Sequence, residues 1–166
     1  QTEINANTDP LNPNSKPFQA TNNDIQTAVD LWISDKAAAL TQYGEINTWD
    51  VSQVTDMNRL FKDKTTFNDD ISNWDVSNVT NMREMFYNAE SFNQNINSWN
   101  IANVTTLYAM FWDAKAFNQP LNSWDTSNVE NMLGVFKNAH LFNQDLSNWD
   151  TSKVTTMHKM FEDAKA

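Results

Sequence analysis

A 25-residue period constrains this chain more than any other feature of its sequence. Four consecutive segments, 67–91, 92–116, 117–141 and 142–166, align without insertion or deletion, and the first and last of them agree at 14 of 25 positions. A partial unit comes before them and begins to match at Ile46. One such unit is too small to bury its apolar residues alone, so units of this kind fold by stacking on their neighbours. The sequence therefore predicts a stack of similar layers.

Residues that occupy the same position in successive units form a column, and seven columns stay large and apolar. They recur once in each unit, starting from Ile46, Trp49, Val54, Met57, Leu60, Phe61 and Phe67. The columns between them drift toward polar side chains. We therefore expect the seven apolar columns to face inward.

The spacing within one unit predicts a strand followed by a short helix. Trp74 and Val76 alternate with polar neighbours, which is the period of a half-buried strand. From Val79 to Ala89 the apolar residues recur at helical spacing, with Thr80 placed as an N-cap. The predicted fold is an α/β solenoid: a leucine-rich-repeat-like stack of 25-residue strand-helix units with a parallel β-sheet and an N-terminal helical cap.

Composition along the chain predicts three parts. Residues 1–21 are rich in Asn, Thr and Pro, which indicates an N-terminal arm or linker. Residues 22–44 are predicted to be a helical N-terminal cap, in which the second of two helices runs from Ser34 to Tyr43. Residues 45–166 are predicted to be the repeat array, with one partial and four complete units.

No cap follows the last repeat. The sequence stops after its final unit, which leaves Trp149, Val154, Met157 and Phe161 without a following layer. An apolar layer that is left open is a template for association. Three explanations stay open: a truncated chain, a fragment of a longer array, or a head-to-tail partner that covers this end.

The charge balance and composition argue against several classes of function. The formal net charge is −10 and the isoelectric point is near 4.4, with only 11 scattered basic residues, which argues against binding nucleic acid. No apolar run approaches the roughly 18 residues of a membrane span, so no membrane insertion is expected. Cysteine is absent, and His140 and His158 occupy different positions of the repeat. We therefore expect no enzyme activity, no catalytic residue, no cofactor and no metal site.

Two polar columns allow both a structural and a functional interpretation. The first contains Asp50, Asp75, Asn100, Asp125 and Asp150. It suits either a ladder that binds calcium or a set of acceptors that cap turns, and the asparagine in the series favours turn capping. The second contains Asn68, Asn93, Asn118 and Asn143. It is predicted to be an internal asparagine ladder that satisfies turn backbone.

Surface residues that depart from the repeat are the best candidates for a site, because the stack does not require them. One column holds Tyr87 and Trp112 where other units carry lysine or glutamate, and the column four residues earlier holds Tyr108 and Leu133. These four residues, here called the aromatic flank, are predicted to cluster outside the core. Exposed aromatics can anchor a protein interface or stack on sugars. They can also merely pad neighbouring units, and both interpretations stay open.

All four complete repeats match the pattern F-N-x-x-[IL]-x-x-W-[DN]-x-[SA]-x-V. With this pattern the chain from Trp49 to Ala166 resembles the BspA-type surface proteins (the DUF285 family). Their repeat is a divergent relative of leucine-rich repeats and occurs in bacterial surface lipoproteins and adhesins. The resemblance implies a non-enzymatic interaction protein that is extracellular or attached to the cell surface. It supplies no catalytic residues.

The leading expectation for function is a structural or adhesive protein that associates head to tail through Trp149, Val154, Met157 and Phe161. The alternative is a monomeric recognition module that binds a glycan or a host protein through the aromatic flank. The expected partners are other proteins, first of all copies of this chain, with surface glycans as a further class.

Overall fold

The computed structural model describes residues 16–166, so most of the predicted arm at residues 1–21 lies outside the described residues. Two short helices are present, α1 at Ile25–Ser34 and α2 at Lys36–Tyr43, followed by a 3-10 turn at Ile46–Thr48. They agree with the two helices that the spacing predicts, although α2 begins two residues later than expected. Neither helix of the described chain is long and apolar enough to cross a membrane.

The helices pack on the first layer of the stack. Asp35 lies between the two helices and is the N-cap of α2, because its side chain accepts a hydrogen bond from the Ala38 N–H at 3.0 Å. Gly44, with a φ angle of 73°, follows the last turn of α2. The indole of Trp49 meets Trp32 of α1 edge-on at 5.9 Å and Tyr43 of α2 at 5.8 Å. The helices therefore lie where a preceding layer would lie. The division of the chain into arm, cap and repeats stays a prediction.

The predicted fold class is wrong. The described chain contains no β-strand, and its residues 45–166 contain no α-helix, so the expected α/β solenoid with a parallel β-sheet and strand-helix units does not form. Instead of a sheet, single parallel β-bridges join one residue of each layer to the next, in the series Asp56, Asn81, Thr106, Asn131 and Thr156. Each layer consists of consecutive turns.

Hydrogen bonds along the stack explain why no helix forms in the repeats. The N–H groups of Arg59, Phe61 and Asp63 donate to carbonyl groups of the following layer, each at 2.9 Å, and the N–H groups between them close turns three residues back. Arg59 and Asp63 have φ angles of 62° and 61°, and the same two columns are left-handed in every later layer. A left-handed residue costs roughly 1–2 kcal/mol, which the interlayer hydrogen bond from the same residue partly offsets.

Side-chain capping explains why no strand forms. The Asp75 carboxylate accepts a hydrogen bond from the Ser77 N–H at 3.0 Å, and the N–H groups of Trp74 and Val79 close turns onto carbonyl groups three residues back. These groups are then not available for a ladder to a neighbouring strand. Trp74 and Val76 are both buried, so the alternation in the sequence reflects burial, but turns produce it.

The seven apolar columns face inward, as predicted. Every member of these columns in the layers before residue 142 is buried. In the row from Phe61 to Phe161, neighbouring ring centroids lie 5.4 to 5.7 Å apart. From Trp74 onward, each indole of the tryptophan column donates to a carbonyl group of the preceding layer. The outward columns are therefore held in register by one continuous aromatic core.

Candidate interaction face

The aromatic flank lies on the turn segment whose backbone bonds to the next layer, so the stack sets its position. Tyr87 and Trp112 contact each other, with ring centroids 5.7 Å apart. Lys62 Nζ lies 4.5 Å from the centre of the Tyr87 ring, and Lys137 Nζ lies 4.3 Å from the Trp112 ring. Lys62 belongs to the layer before Tyr87 and Lys137 to the layer after Trp112. The column therefore runs cation, ring, ring, cation, and both faces of each ring are covered.

Tyr108 and Leu133 lie in the adjacent outward column and have different neighbours. The Arg83 guanidinium lies 4.3 Å from the centre of the Tyr108 ring. Leu133 follows Tyr108 one layer later, and all four flank residues are half-buried. The structure thus brings Tyr87 and Trp112 together, whereas Tyr108 pairs with an arginine.

The indole of Trp112 lies over Gly134. A Cβ atom on Gly134 would come within 2.9 Å of Trp112 Cε3. Gly134 has a φ angle of 63°, but the same left-handed column accepts Glu84 and Ala109 in other layers. The glycine therefore makes room for the indole, since the backbone turn alone does not require it.

Beside the flank, Glu84 gathers three basic side chains in a group that we call the Glu84 cluster. Glu84 is 5% exposed, and its carboxylate accepts hydrogen bonds from Arg59 Nε and Arg83 Nε, each at 3.0 Å, and from Lys62 Nζ. Burial raises the pKa of Glu84, but the hydrogen bonds from these three side chains outweigh it and lower the pKa to about 2. The carboxylate is therefore ionised at neutral pH and fixes the three cations beside the aromatic rings.

Sequence reasoning missed the Glu84 cluster. Glu84 is one acid among many in an acidic chain, and Arg83 is an ordinary neighbour in the sequence. The signal that could have found the cluster is Arg59, which precedes Glu84 by one 25-residue period. Opposite charges in one column of adjacent layers predict an ion pair across the layers.

Several hydrogen-bond donors on the flank have no acceptor in the described part of the chain. Six of the seven tryptophans donate their indole N–H within the protein, and Trp112 is the exception. The hydroxyl groups of Tyr87 and Tyr108 likewise have no partner among residues 16–166. No buried side-chain nitrogen or oxygen of these residues lacks a partner, so the unpaired donors reach the surface.

The two polar columns serve the turns. In the aspartate column, the N–H group two residues later donates to each side chain at 2.8 to 3.1 Å, and Asn100 accepts in the same way as its aspartate counterparts. In the asparagine column, each N–H from Asn93 onward donates to the Oδ1 atom one layer earlier at 2.9 Å. Turn capping and the asparagine ladder are therefore confirmed, although the ladder lies at the surface rather than inside. Within residues 16–166, no three His, Asp or Glu side chains come together as a metal site requires.

An open groove of about 870 Å³ elsewhere on the stack is lined mostly by polar residues, together with Trp99 and Ile101. The Asn97 side chain bonds twice to Ser123, at 3.0 Å each, and Asp70 and Asp125 accept N–H groups of their own turns. The Asn97–Ser123 pair therefore joins adjacent layers and the two carboxylates cap their own turns, in contrast to the unpaired donors of the aromatic flank.

The four residues predicted for self-association belong to the last layer of the chain. Trp149 and Val154 are half-buried, whereas Met157 is 48% and Phe161 50% exposed. In each earlier layer, the N–H groups equivalent to those of Met157 and Phe161 bond to the following layer. The outer surface of the last layer therefore presents the same apolar side chains and the same backbone N–H donors that join each earlier layer to the next one.

The fold and the flank together define a layered repeat protein that presents aromatic and basic side chains on a stack of hydrogen-bonded layers. The chain belongs to the family described as "Mycoplasma protein of unknown function, DUF285", which matches residues 33–139 and 103–166. The predicted membership of the DUF285 family is thereby confirmed. No curated protein and no solved structure matches the chain.

Proposed function

We propose that this chain is a non-enzymatic BspA-type protein that acts at the cell surface or outside the cell by binding another protein through the aromatic flank. The observation that carries the proposal is the set of unpaired donors: Trp112 Nε1 and the hydroxyl groups of Tyr87 and Tyr108 have no acceptor among residues 16–166. Every other tryptophan donates inside the fold, so the stack does not need these donors. Tryptophan and tyrosine are also enriched among the residues that anchor protein interfaces.

The arrangement of the rings favours a protein over a sugar as the partner. A sugar stacks on the free face of an aromatic ring, but Lys62 and Trp112 cover Tyr87, and Tyr87 and Lys137 cover Trp112. The ring edges and donor atoms are what remain exposed. They suit the carbonyl groups and polar side chains of a polypeptide.

The repeat itself supplies matched variants for a test. Trp112→Lys and Tyr108→Asn introduce residues that other layers carry in the same columns, so the core is unchanged. We expect both variants to fold like the parent and to lose its adhesion to cells and to protein-coated surfaces. Ser123→Asn, the same kind of exchange away from the flank, should adhere like the parent. Adhesion that survives both flank exchanges would contradict the proposal, and parent binding to a glycan array alone would assign the flank to a sugar.

Association between copies of the chain is the second candidate, favoured by the exposure of Met157 and Phe161. It is the weaker one because α1 already covers the first layer, where Gln26 Nε2 donates to the Leu60 carbonyl group at 3.2 Å. A second copy would therefore have to dock on the outer surface of the helices, where Ile33 is exposed. Sedimentation velocity at increasing concentration should then show oligomers that Met157→Lys abolishes. Monomers at all concentrations would exclude this mode.

A further inference from the structure

Both arginines of the chain lie in the Glu84 cluster, although they come from different layers. Three cations surround one carboxylate, so the four side chains carry a net charge of +2, three positive charges minus one negative. The chain as a whole carries −10. The cluster is therefore a local positive site on an acidic protein.

Glu84 holds the two guanidinium groups without using all of their donors. Arg59 binds the carboxylate through Nε and Nη2, and Arg83 binds it through Nε. Arg59 Nη1 and both Nη atoms of Arg83 have no acceptor among residues 16–166, and the two side chains are 52% and 45% exposed. The buried carboxylate thus fixes two arginines in place while their outer N–H groups stay accessible. Such preorganisation lowers the entropy lost on binding.

The Glu84 cluster continues into the aromatic flank. Arg83 lies against the Tyr108 ring at 4.3 Å, and Lys62 bridges Glu84 and the Tyr87 ring. The combined surface contains arginine, tyrosine and tryptophan, the three residue types most enriched in interface hot spots. Its unpaired groups are N–H and O–H donors, so the complementary partner is rich in acceptors.

We propose that the Glu84 cluster and the aromatic flank together bind an acidic polypeptide segment. Its Asp and Glu carboxylates meet the outer N–H groups of Arg59 and Arg83, and its backbone carbonyl groups accept hydrogen bonds from Tyr108 and Trp112. This inference rests on the proposed function and adds the chemistry of the partner.

Two physical arguments support an acidic polypeptide. A planar guanidinium group binds a carboxylate through paired hydrogen bonds, which a point charge cannot match. The net negative charge of the chain does not prevent the contact, because charges separated by more than about 8 Å are largely screened at physiological salt. The covered faces of Tyr87 and Trp112 disfavour a sulfated sugar, which would offer anions but would also seek a free ring face.

Fluorescein-labelled poly-L-glutamate is the probe for the test, with labelled heparin as the anionic polysaccharide. At physiological salt, fluorescence anisotropy with the full chain should show tighter binding of poly-L-glutamate than of heparin, and the binding should weaken as salt rises above that level. Arg83→Asn introduces the residue that the first layer carries as Asn58. It should weaken binding about tenfold, because it removes charge-assisted hydrogen bonds. Arg59→Lys keeps the charge but loses the planar fork, and should weaken binding by a smaller factor.

Lys153→Asn is the matched control, because it removes one positive charge in a column where three other layers carry asparagine. It should bind poly-L-glutamate like the parent. An equal loss in Lys153→Asn and Arg83→Asn would show that only net charge matters and would overturn the inference. Absence of parent binding at physiological salt, or a preference for heparin, would overturn it as well.

The adhesion assay separates this inference from the function on which it rests. If Trp112→Lys abolishes adhesion while Arg83→Asn retains it, the flank binds a protein but the acidic partner is wrong. If Trp112→Lys and Tyr108→Asn both adhere like the parent, the proposed function itself fails, whatever the result with poly-L-glutamate.

Discussion

The phenylalanine row offers a direct test of how the stack is stabilised, because the same residue occurs in different surroundings. Phe111 is fully buried and stacks on Phe86 at 5.6 Å, on Phe117 at 4.1 Å and on Phe136 at 5.7 Å. Phe161 occupies the same column but is 50% exposed, and among residues 16–166 it stacks on Phe136 alone, at 5.6 Å. Phe111→Ala and Phe161→Ala therefore make the same chemical change in a closed and in an open layer.

The expected losses follow from burial and ring contacts. Truncation of a fully buried phenylalanine costs about 3–5 kcal/mol. Phe111 loses four ring pairs, including one with Trp124 at 6.4 Å, which places Phe111→Ala near 4 kcal/mol of unfolding free energy. A half-buried phenylalanine gains about half of the roughly 1.5–3 kcal/mol of full burial, and one ring pair adds about 0.5–1.5 kcal/mol. Phe161→Ala should therefore cost roughly 1–3 kcal/mol, with a central value near 2 kcal/mol. We expect the two variants to differ by about 2 kcal/mol, because the closed layer loses both more burial and more ring pairs.

Urea unfolding measures this difference, with tryptophan fluorescence and circular dichroism as parallel probes. Coincident transitions would show that the stack unfolds as one unit and would allow each midpoint to be converted into a free energy. Equal losses of unfolding free energy in Phe111→Ala and Phe161→Ala would refute the reasoning. The contribution of a phenylalanine ring to stability would then not depend on how deeply the ring is buried in the stack. A loss for Phe111→Ala far smaller than that of other fully buried phenylalanines would refute it too.

Three further predictions concern single contacts. Stability should fall as the pH drops from about 4.5 to about 2, because Glu84 has a lowered pKa in the folded state. The ionised carboxylate contributes at most about 3 kcal/mol to the free energy of unfolding above this pH range, and nothing below it. Urea midpoints measured across the range should therefore change less with pH in Glu84→Gln than in the parent. Gly134→Ala should cost about 1–2 kcal/mol, since its Cβ would lie 2.9 Å from Trp112. In a double-mutant cycle this cost should shrink beside Trp112→Lys, and an unchanged cost would contradict the contact. Asn118→Ala should cost about 1 kcal/mol in thermal or urea unfolding, because its Oδ1 accepts the Asn143 N–H at 2.9 Å. Asn143→Ala removes an Oδ1 atom without a partner among the described residues and should change stability by less than about 0.5 kcal/mol; the reverse order would contradict the ladder.

The sequence predicted the parts of the site that depend on columns. Tyr87 and Trp112 occupy the same position in successive units, and any stacking in register brings such residues together, whatever the backbone conformation of each layer. The Glu84 cluster was missed because it combines three columns: Arg59 approaches along the stack, whereas Lys62 and Arg83 approach from two neighbouring columns. Such lateral contacts depend on how the turns orient the side chains.

The helix and the strand of each unit were predicted wrongly for a related reason. The spacing of Val79, Met82 and Phe86 is typical of a helix, and a chain of turns with left-handed residues produces the same burial pattern. The column of Asp63 contains only aspartate and asparagine, which tolerate a left-handed backbone better than other non-glycine residues. The column of Arg59 also contains glutamate and lysine, so residue type does not indicate the conformation there. Turn capping by the aspartate column was predictable, because a short carboxylate beside a free N–H group acts locally.

The sequence by itself determined the length of each layer, the columns that are buried and the side chains displayed on the aromatic flank. These features follow from the period and from the free energy of burying apolar surface, which is largely independent of backbone geometry. Only the tertiary structure decided the backbone conformation of the layers and the grouping of cations around Glu84. The physical reason is that the N–H groups of residues such as Arg59 and Asp63 bond to carbonyl groups of the next layer, which are distant in the sequence. Local conformational propensities depend on neighbouring residues only, so they do not include such a long-range hydrogen bond.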